Sequence, residues 1–157
     1  VATPPDLDAD PTVRALQVLS ARASFLVMRE VFYGTRRFDD FQRRLGLSPS
    51  SLASRLRALV ADGLLTKVAY QDQGQRTRHE YRLTEKGHAL LPALVGLMQW
   101  GNEYLTPRGD RLRLEHAGCG APARAEVRCE QGHHVPLEQL RVGRRAGSGR
   151  SSAQTPR

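Results

Sequence analysis

Five side chains toward the end of the 157-residue sequence have metal-binding character: His116, Cys119, Cys129, His133 and the adjacent His134. Thiolate and imidazole make a proper zinc set, and His116, Cys119, Cys129 and His133 would supply four ligands. Their spacing argues less well than their chemistry. A zinc ribbon brings two close-spaced pairs, whereas here Gly132 stands where the second cysteine of a C-x-x-C would be. A zinc site, a small metal-free hairpin and an unstructured segment are therefore three open readings of this stretch.

A second set is basic and hydroxylic. Between Arg36 and Arg78 there are nine basic residues (Arg36, Arg37, Arg43, Arg44, Arg55, Arg57, Lys67, Arg76, Arg78) against four acidic ones (Asp39, Asp40, Asp62, Asp72), a net +5. Ser48, Ser50, Ser51 and Ser54 fall inside the same window. The planar arginine fork matches phosphate and guanine edges, and short serines let a helix approach a groove closely. An Arg- and Ala-rich composition also follows from GC-rich coding, so charge alone makes nucleic acid a candidate partner and no more. Some of these arginines are expected to pair with Asp39, Asp40 or Asp72.

Enzymatic chemistry finds no support. There is no nucleophile-base-acid set, no Gly-rich loop between strand and helix, and no pair of carboxylates beside an apolar pocket. Thr84-Glu85-Lys86-Gly87 is a helix start, and His79 and His88 are surface or wing residues rather than ligands.

Composition narrows the setting. The chain carries 24 Lys plus Arg against 16 Asp plus Glu, a formal charge of +8, with 39% hydrophobic residues. No run approaches the roughly 18 apolar residues of a membrane span, and VATPPDLDADP has neither a basic nor an apolar leader region. Two cysteines are too few for a disulfide scaffold. A reduced, cytoplasmic compartment, in company with the nucleoid, is the expectation, with no membrane partner.

The elements that hold the basic set follow from periodicity. Residues 1–11, rich in Pro and acid, are expected to form a flexible arm. Val13, Leu16 and Leu19 mark a first helix capped by Thr12 or Asp10. Ala23 to Tyr33 is an apolar second helix stopped by Gly34. Arg37 to Leu45 places Phe38, Phe41 and Leu45 on one side. Ser48-Pro49 then opens the best-signalled helix, with Leu52, Leu56, Leu59 and Val60 as its buried stripe and Asp62-Gly63 as its end. Leu64 to Tyr70 and Arg78 to Leu83 read as a hairpin with a loose tip. Thr84 caps a final run to Leu105, some 30 Å long and bent at Pro92. Residues 106–142 form a Cys/His-containing extension, and residues 143–157 a disordered basic tail.

This order predicts a mainly α fold with a small β-hairpin wing: a winged helix-turn-helix over residues 12–105, with a three-helix core and a long C-terminal dimerisation helix. If Leu52 marks the core direction, Ser50, Ser54, Arg57 and Ala61 point outward, with Ser51 and Arg55 on the flanks. Arg76 and Arg78 sit where a wing would meet the DNA backbone or minor groove. Arg36 and Arg37 bracket the other side. An ordinary solvated surface is the alternative for each of these positions.

Gly34-Thr-Arg-Arg-Phe38-Asp-Asp-Phe41, Leu47-Ser48, Leu52-Ala-Ser-Arg55-Leu56-Arg57, Asp62-Gly63-Leu64-Leu65, Glu80-Tyr81-Arg-Leu83-Thr84-Glu-Lys-Gly87 and Trp100-Gly101 together resemble the HxlR family of bacterial winged helix-turn-helix regulators. The likeness spans about residues 10 to 105. It implies a DNA-binding transcriptional regulator, a symmetric homodimer built through its first and last helices, on paired operator half-sites of double-stranded DNA. It also implies groove contacts from Ser50, Ser51, Ser54 and Arg55, and a wing contact from Arg78.

Three departures bear on function. The family's frequent Cys-Pro near the start is Asp10-Pro11 here, which excludes thiol sensing at that place. Ala21-Arg22-Ala23 replaces the usual Gly-Lys-Trp, and losing the indole predicts a larger cavity beside Ala23 and Val27 that admits a small apolar effector. The wing has Gly74-Gln75-Arg76-Thr77 in place of the usual proline, which predicts a more mobile tip.

The last helix argues separately for a dimer. A small winged domain shields only part of its stripe, so Val13, Leu16, Leu94, Leu97, Met98, Trp100, Tyr104 and Leu105 are expected to meet a second copy. Packing against the chain's own first helix accounts for some of them. The competing reading is a metal-sensing or protein-interaction module that uses the winged domain as a dimer scaffold.

Overall fold

In the computed structural model, the residues described are 10–19, 22–70, 78–107 and 112–142. The expected arm (all but its last two residues), the wing tip 71–77 with Arg76, and the basic tail lie outside them. Eight elements follow in order: α1 Pro11–Leu19, α2 Arg22–Phe32, α3 Phe38–Leu45, α4 Pro49–Ala61, β1 Leu65–Tyr70, β2 Arg78–Leu83, α5 Glu85–His88 and α6 Leu91–Tyr104. This is the predicted winged helix-turn-helix. No helix among the described residues is long and apolar enough to cross a membrane.

Local chemistry sets each boundary. Asp10 caps α1, its Oδ1 accepting from the amides of Thr12 (2.7 Å) and Val13 (3.2 Å), and Pro11 follows where no amide is needed. α3 ends at Gly46, whose left-handed φ of 62° lets its amide turn back to the Gln42 carbonyl. Ser48 opens α4, its Oγ accepting from the Ser51 amide at 3.3 Å, with Pro49 in the first turn.

The core forms where α2 meets α4. Val27, Met28 and Val31 of α2 are enclosed with Phe41 of α3, Leu52, Leu56 and Leu59 of α4, and Leu64 and Leu65 at the entry to the wing. The hairpin is antiparallel from Leu65↔Leu83 to Tyr70↔Arg78. A single isolated bridge ties the segment before α3 to it: the Arg36 carbonyl accepts from the Tyr81 amide (2.9 Å) and Arg37 bridges Glu80.

The single final helix expected from Thr84 to Leu105 is instead two. α5 stops at Ala89 and α6 restarts at Leu91, with Pro92 in its first turn. Proline does not bend a continuous helix here; it occupies a place where a helix start has an amide to spare. α6 has 14 residues, so it is roughly 21 Å long rather than 30 Å.

Residues 112–126 belong to the same compact unit as the helices. Two α6 side chains hold them: Asn102 Nδ2 donates to the Leu112 carbonyl and Gln99 Oε1 accepts from the Ala125 amide, both at 2.6 Å. From Val127 onward the described residues form a second unit, in which Arg128 bridges His134 and a 3-10 turn covers Leu137–Gln139.

The wing is anchored at its base by two adjacent carbonyls, Gly63 O accepting from Thr84 Oγ1 at 2.6 Å. Leu64 O accepts from the Thr84 amide (3.1 Å) and Thr84 Oγ1 (3.2 Å), and Gly87 packs so close that a Cβ there would lie 2.2 Å from the same oxygen. Replacing Gly87 with Ala must displace backbone, so the urea midpoint should fall by the equivalent of about 1–3 kcal/mol. An unchanged midpoint would show that α5 does not seat against Leu64.

Candidate nucleic-acid interface

With Leu52, Leu56 and Leu59 directed inward, helical geometry leaves Ser50, Ser51, Ser54 and Arg57 exposed on the outer face of α4 and Arg55 half-buried at its edge. Ser48 Oγ joins them, 3.2 Å from Ser50 Oγ and donating to Ser51 Oγ at 3.0 Å. The face is thus shallow and hydroxylic at its N-terminal end and cationic further along. Neither Arg55 nor Arg57 pairs with a carboxylate among the described residues.

The flanking arginines divide by occupation. Arg36 Nη1 donates to the Val31 carbonyl at 2.7 Å and the Thr35 carbonyl at 3.4 Å, closing the end of α2. Arg43 pairs with Asp40, as expected of at least one of them, and Arg44 reaches Glu30 at 3.5 Å. Arg37 lies 4.7 Å over the Tyr70 ring, and Arg78 stands exposed opposite Tyr70 in the hairpin register.

Between α3 and the hairpin lies a groove of about 540 Å³. Its cations are Arg37, Arg43, Lys67 and Arg78, with His79 beside them and Asp39 and Asp40 on the α3 side. Lys67, counted above only within the basic window, and His79, read above as a surface or wing residue, both line this groove. The signal existed: Lys67 opposes Tyr81 and Ala69 opposes His79, so the alternation of Leu65, Lys67 and Ala69 already puts both on one face.

Tyr81 joins the wing to the helices. Its ring meets Phe41 edge-on at 6.3 Å. Burial pushes its hydroxyl above the ordinary tyrosine range, and the Arg57 guanidinium opposes that shift.

α6 displays apolar surface of its own. Leu97 is 55% exposed, Trp100 55%, Tyr104 71% and Leu105 68%, and Leu16 of α1 is 59% exposed. The Trp100 and Tyr104 rings lie 5.9 Å apart. Leu94 is buried within the chain, Met98 is half-buried and accepts weakly from the Tyr33 hydroxyl at 3.9 Å, and Val13 is half-buried.

The remaining predicted residues are placed as follows. Val27 is wholly enclosed by the core and Ala23 is half-buried. The cleft that does open on α2 is lined instead by Phe25, Arg29 and Tyr33 against α6. His116 Nδ1 lies 3.2 Å from Cys119 Sγ in the helical unit, and Cys129 Sγ lies 3.7 Å from His133 Nδ1 in the second unit. Among the described residues no group of three or more His, Cys, Asp or Glu gathers as a metal set.

A model of the HxlR-like helix-turn-helix family matches residues 18–109. The chain is 46% identical over 117 residues to the uncharacterized HTH-type transcriptional regulator Mb3122 of Mycobacterium bovis, covering 74% of this chain and 73% of that protein. The crystal structure of PA1607, described as a candidate transcription factor, superposes with a TM-score of 0.75 at 39% identity, over 87% of this chain and 96% of its own. A second such protein, PA1374 from Pseudomonas aeruginosa, gives a TM-score of 0.61 at 33% identity, over 90% and 96%.

The influence of Arg57 on Tyr81 is measurable. Phenolate absorbance should show Tyr81 ionising above the usual value of about 10, assigned by comparison with Tyr81→Phe. Arg57→Gln should raise that value further, since it removes the charge that favours phenolate. A downward move would place Arg57 away from the wing.

Proposed function

Since this chain belongs to the HxlR-like helix-turn-helix family, whose members are transcriptional regulators and not enzymes, we propose that it binds operator DNA as a homodimer, one recognition helix per half-site. The observation that carries this reading is the outer face of α4, with its serines and two arginines unpaired with carboxylate and Arg37 and Arg78 to one side. α4 enters the major groove. Ser50, Ser51 and Ser54 allow close approach, Arg55 reads a base edge, and Arg57 lies nearer the wing. Arg37, Arg78 and Lys67 grip phosphates. Arg36 contributes with whichever donors its two carbonyl bonds leave over.

The second copy joins through α6 and α1. Leu97, Trp100, Tyr104 and Leu105 at the end of α6 and Leu16 of α1 are exposed apolar side chains that a second copy would cover, and a two-fold axis there would set paired α4 helices about one DNA turn, roughly 34 Å, apart. Such a regulator works in the cytoplasm, where the nucleoid is, and a small effector bound near α2 and α6 would modulate it.

Salt separates the contact classes. Operator affinity should fall steeply with salt, and Arg78→Ala should lower the slope of log affinity against log salt by about 1 while weakening all sequences alike. Arg55→Ala should instead change sequence preference by roughly 1–3 kcal/mol. Equal loss on every sequence would reassign Arg55 to phosphate.

The dimer has its own test. Sedimentation of the full chain should give a dimer, and Leu97→Glu with Trp100→Glu should give a folded monomer that loses binding to paired half-sites while keeping weak, salt-dependent binding to any DNA. A double variant that stays dimeric would move the interface off α6.

A further inference from the structure

Arg37 stands at the entry to α3, yet its contacts tie it to the wing. Its backbone is extended, with φ −96° and ψ 144°, and bridges Glu80 of β2. Glu80 pairs with Val68 of β1 and Arg78 with Tyr70. Side chains two apart on a strand share a face, as do cross-strand partners, so Tyr70, Arg78 and Arg82 stand on the same face of the hairpin as Glu80. The Arg37 side chain reaches across β2 to the far strand, where its guanidinium lies 4.7 Å over the ring of the half-buried Tyr70.

No acid claims that guanidinium. Glu80, the carboxylate on the same face, is taken by Arg82, whose Nε donates to its Oε1 at 2.8 Å. Asp40 on the α3 side pairs with Arg43. Arg37 is exposed and forms no ion pair among the described residues. An aromatic face attracts a guanidinium through its quadrupole and takes up none of its N–H donors, whereas a carboxylate holds the same group by occupying them. The ring therefore restrains the cation and leaves its hydrogen-bonding edge for another acceptor. Arg78 gives the contrast, because it is exposed with neither a ring nor a carboxylate partner among the described residues.

We propose that Tyr70 is a positioning residue for DNA: its ring holds Arg37 ready for a backbone phosphate, without touching the duplex itself. This role rests on the operator-binding reading given above. Immobilising a long side chain on binding costs roughly a factor of two to ten in affinity, and a guanidinium already held over a ring has met that cost during folding. The hold also makes the phosphate grip of Arg37 conditional on the wing, since the residue belongs to the start of α3 and its restraint belongs to β1.

A mixed-sequence duplex about four helical turns long, at low salt, is the probe, because phosphate contacts carry no sequence information. Tyr70→Leu removes the ring and no charge, and should weaken binding by the full chain about threefold or more, whereas Tyr70→Phe keeps the aromatic face and should stay within about twofold of the parent. Arg37→Ala should weaken binding by more than Tyr70→Leu does, and adding Tyr70→Leu to Arg37→Ala should cost nothing further. Added to Arg78→Ala, Tyr70→Leu should cost as much as it does alone. That pattern separates positioning from damage to the wing, which lowers affinity whether or not Arg37 is present. A smaller loss in Tyr70→Leu, an equal loss in Tyr70→Phe, or a Tyr70→Leu loss that persists without Arg37 overturns the role of Tyr70 and leaves the operator reading standing. A parent chain that ignores the duplex overturns the operator reading, and this role falls with it.

Discussion

The contact between α2 and α4 decides what the rest of the molecule can present. Leu52, Leu56 and Leu59 are fully enclosed against Val27, Met28 and Val31, with Phe41 closing the gap from α3. A helix has one azimuth once its apolar stripe is buried, so this packing points Ser50, Ser51, Ser54 and Arg57 at solvent. Rotation by one residue would bury a serine and expose a leucine. Burying a side chain the size of leucine is worth about 1.5–3 kcal/mol, and three of them on one stripe make that rotation prohibitive. The recognition face is therefore fixed by the side of the helix that never meets DNA.

A buried carboxylate reinforces that geometry from behind. Glu30 is almost wholly enclosed, and an ion there is tolerable only when its oxygens are satisfied. Arg29, Thr35 and Arg44 satisfy them, which ties α2, the turn after it and the end of α3 to one group. Arg36 adds a second tie, from the same turn back to the Val31 carbonyl. The basic segment is thus partly an internal scaffold, and counting its charges overstates what faces outward.

Most of the fold was legible because its signals are local. Ser48-Pro49 opening α4, Asp10 capping α1 and the paired β-rich segments of the hairpin each act within a few residues, and each appears where periodicity and capping chemistry put it. What escaped depends on contacts between distant residues. The seating of α5 is one such case: Gly87 is pressed against Leu64 O, far away in the chain, and the helical run breaks at Ala89–Leu90 so that Pro92 starts a helix rather than bending one. The groove residues Lys67 and His79 become neighbours of Arg37 and Arg43 only once the hairpin folds beside α3. The extension was harder still: residues 112–126 are held by the side chains of Gln99 and Asn102, which look like ordinary polar helix positions in the sequence.

The division among the arginines carries a consequence for how such a surface reads DNA. Arg29, Arg36, Arg43 and Arg44 have partners within the chain, so moving any of them onto a phosphate means breaking an existing bond. Arg55, Arg57 and Arg78 have no carboxylate partner among the described residues, and Arg37 is held only over an aromatic face. A side chain that gives nothing up on contact contributes its full charge-assisted bond, whereas a paired one contributes the difference between two such bonds. Specificity should accordingly concentrate in the few arginines near α4 and the wing, with the larger basic total contributing mainly the long-range field that draws the duplex in.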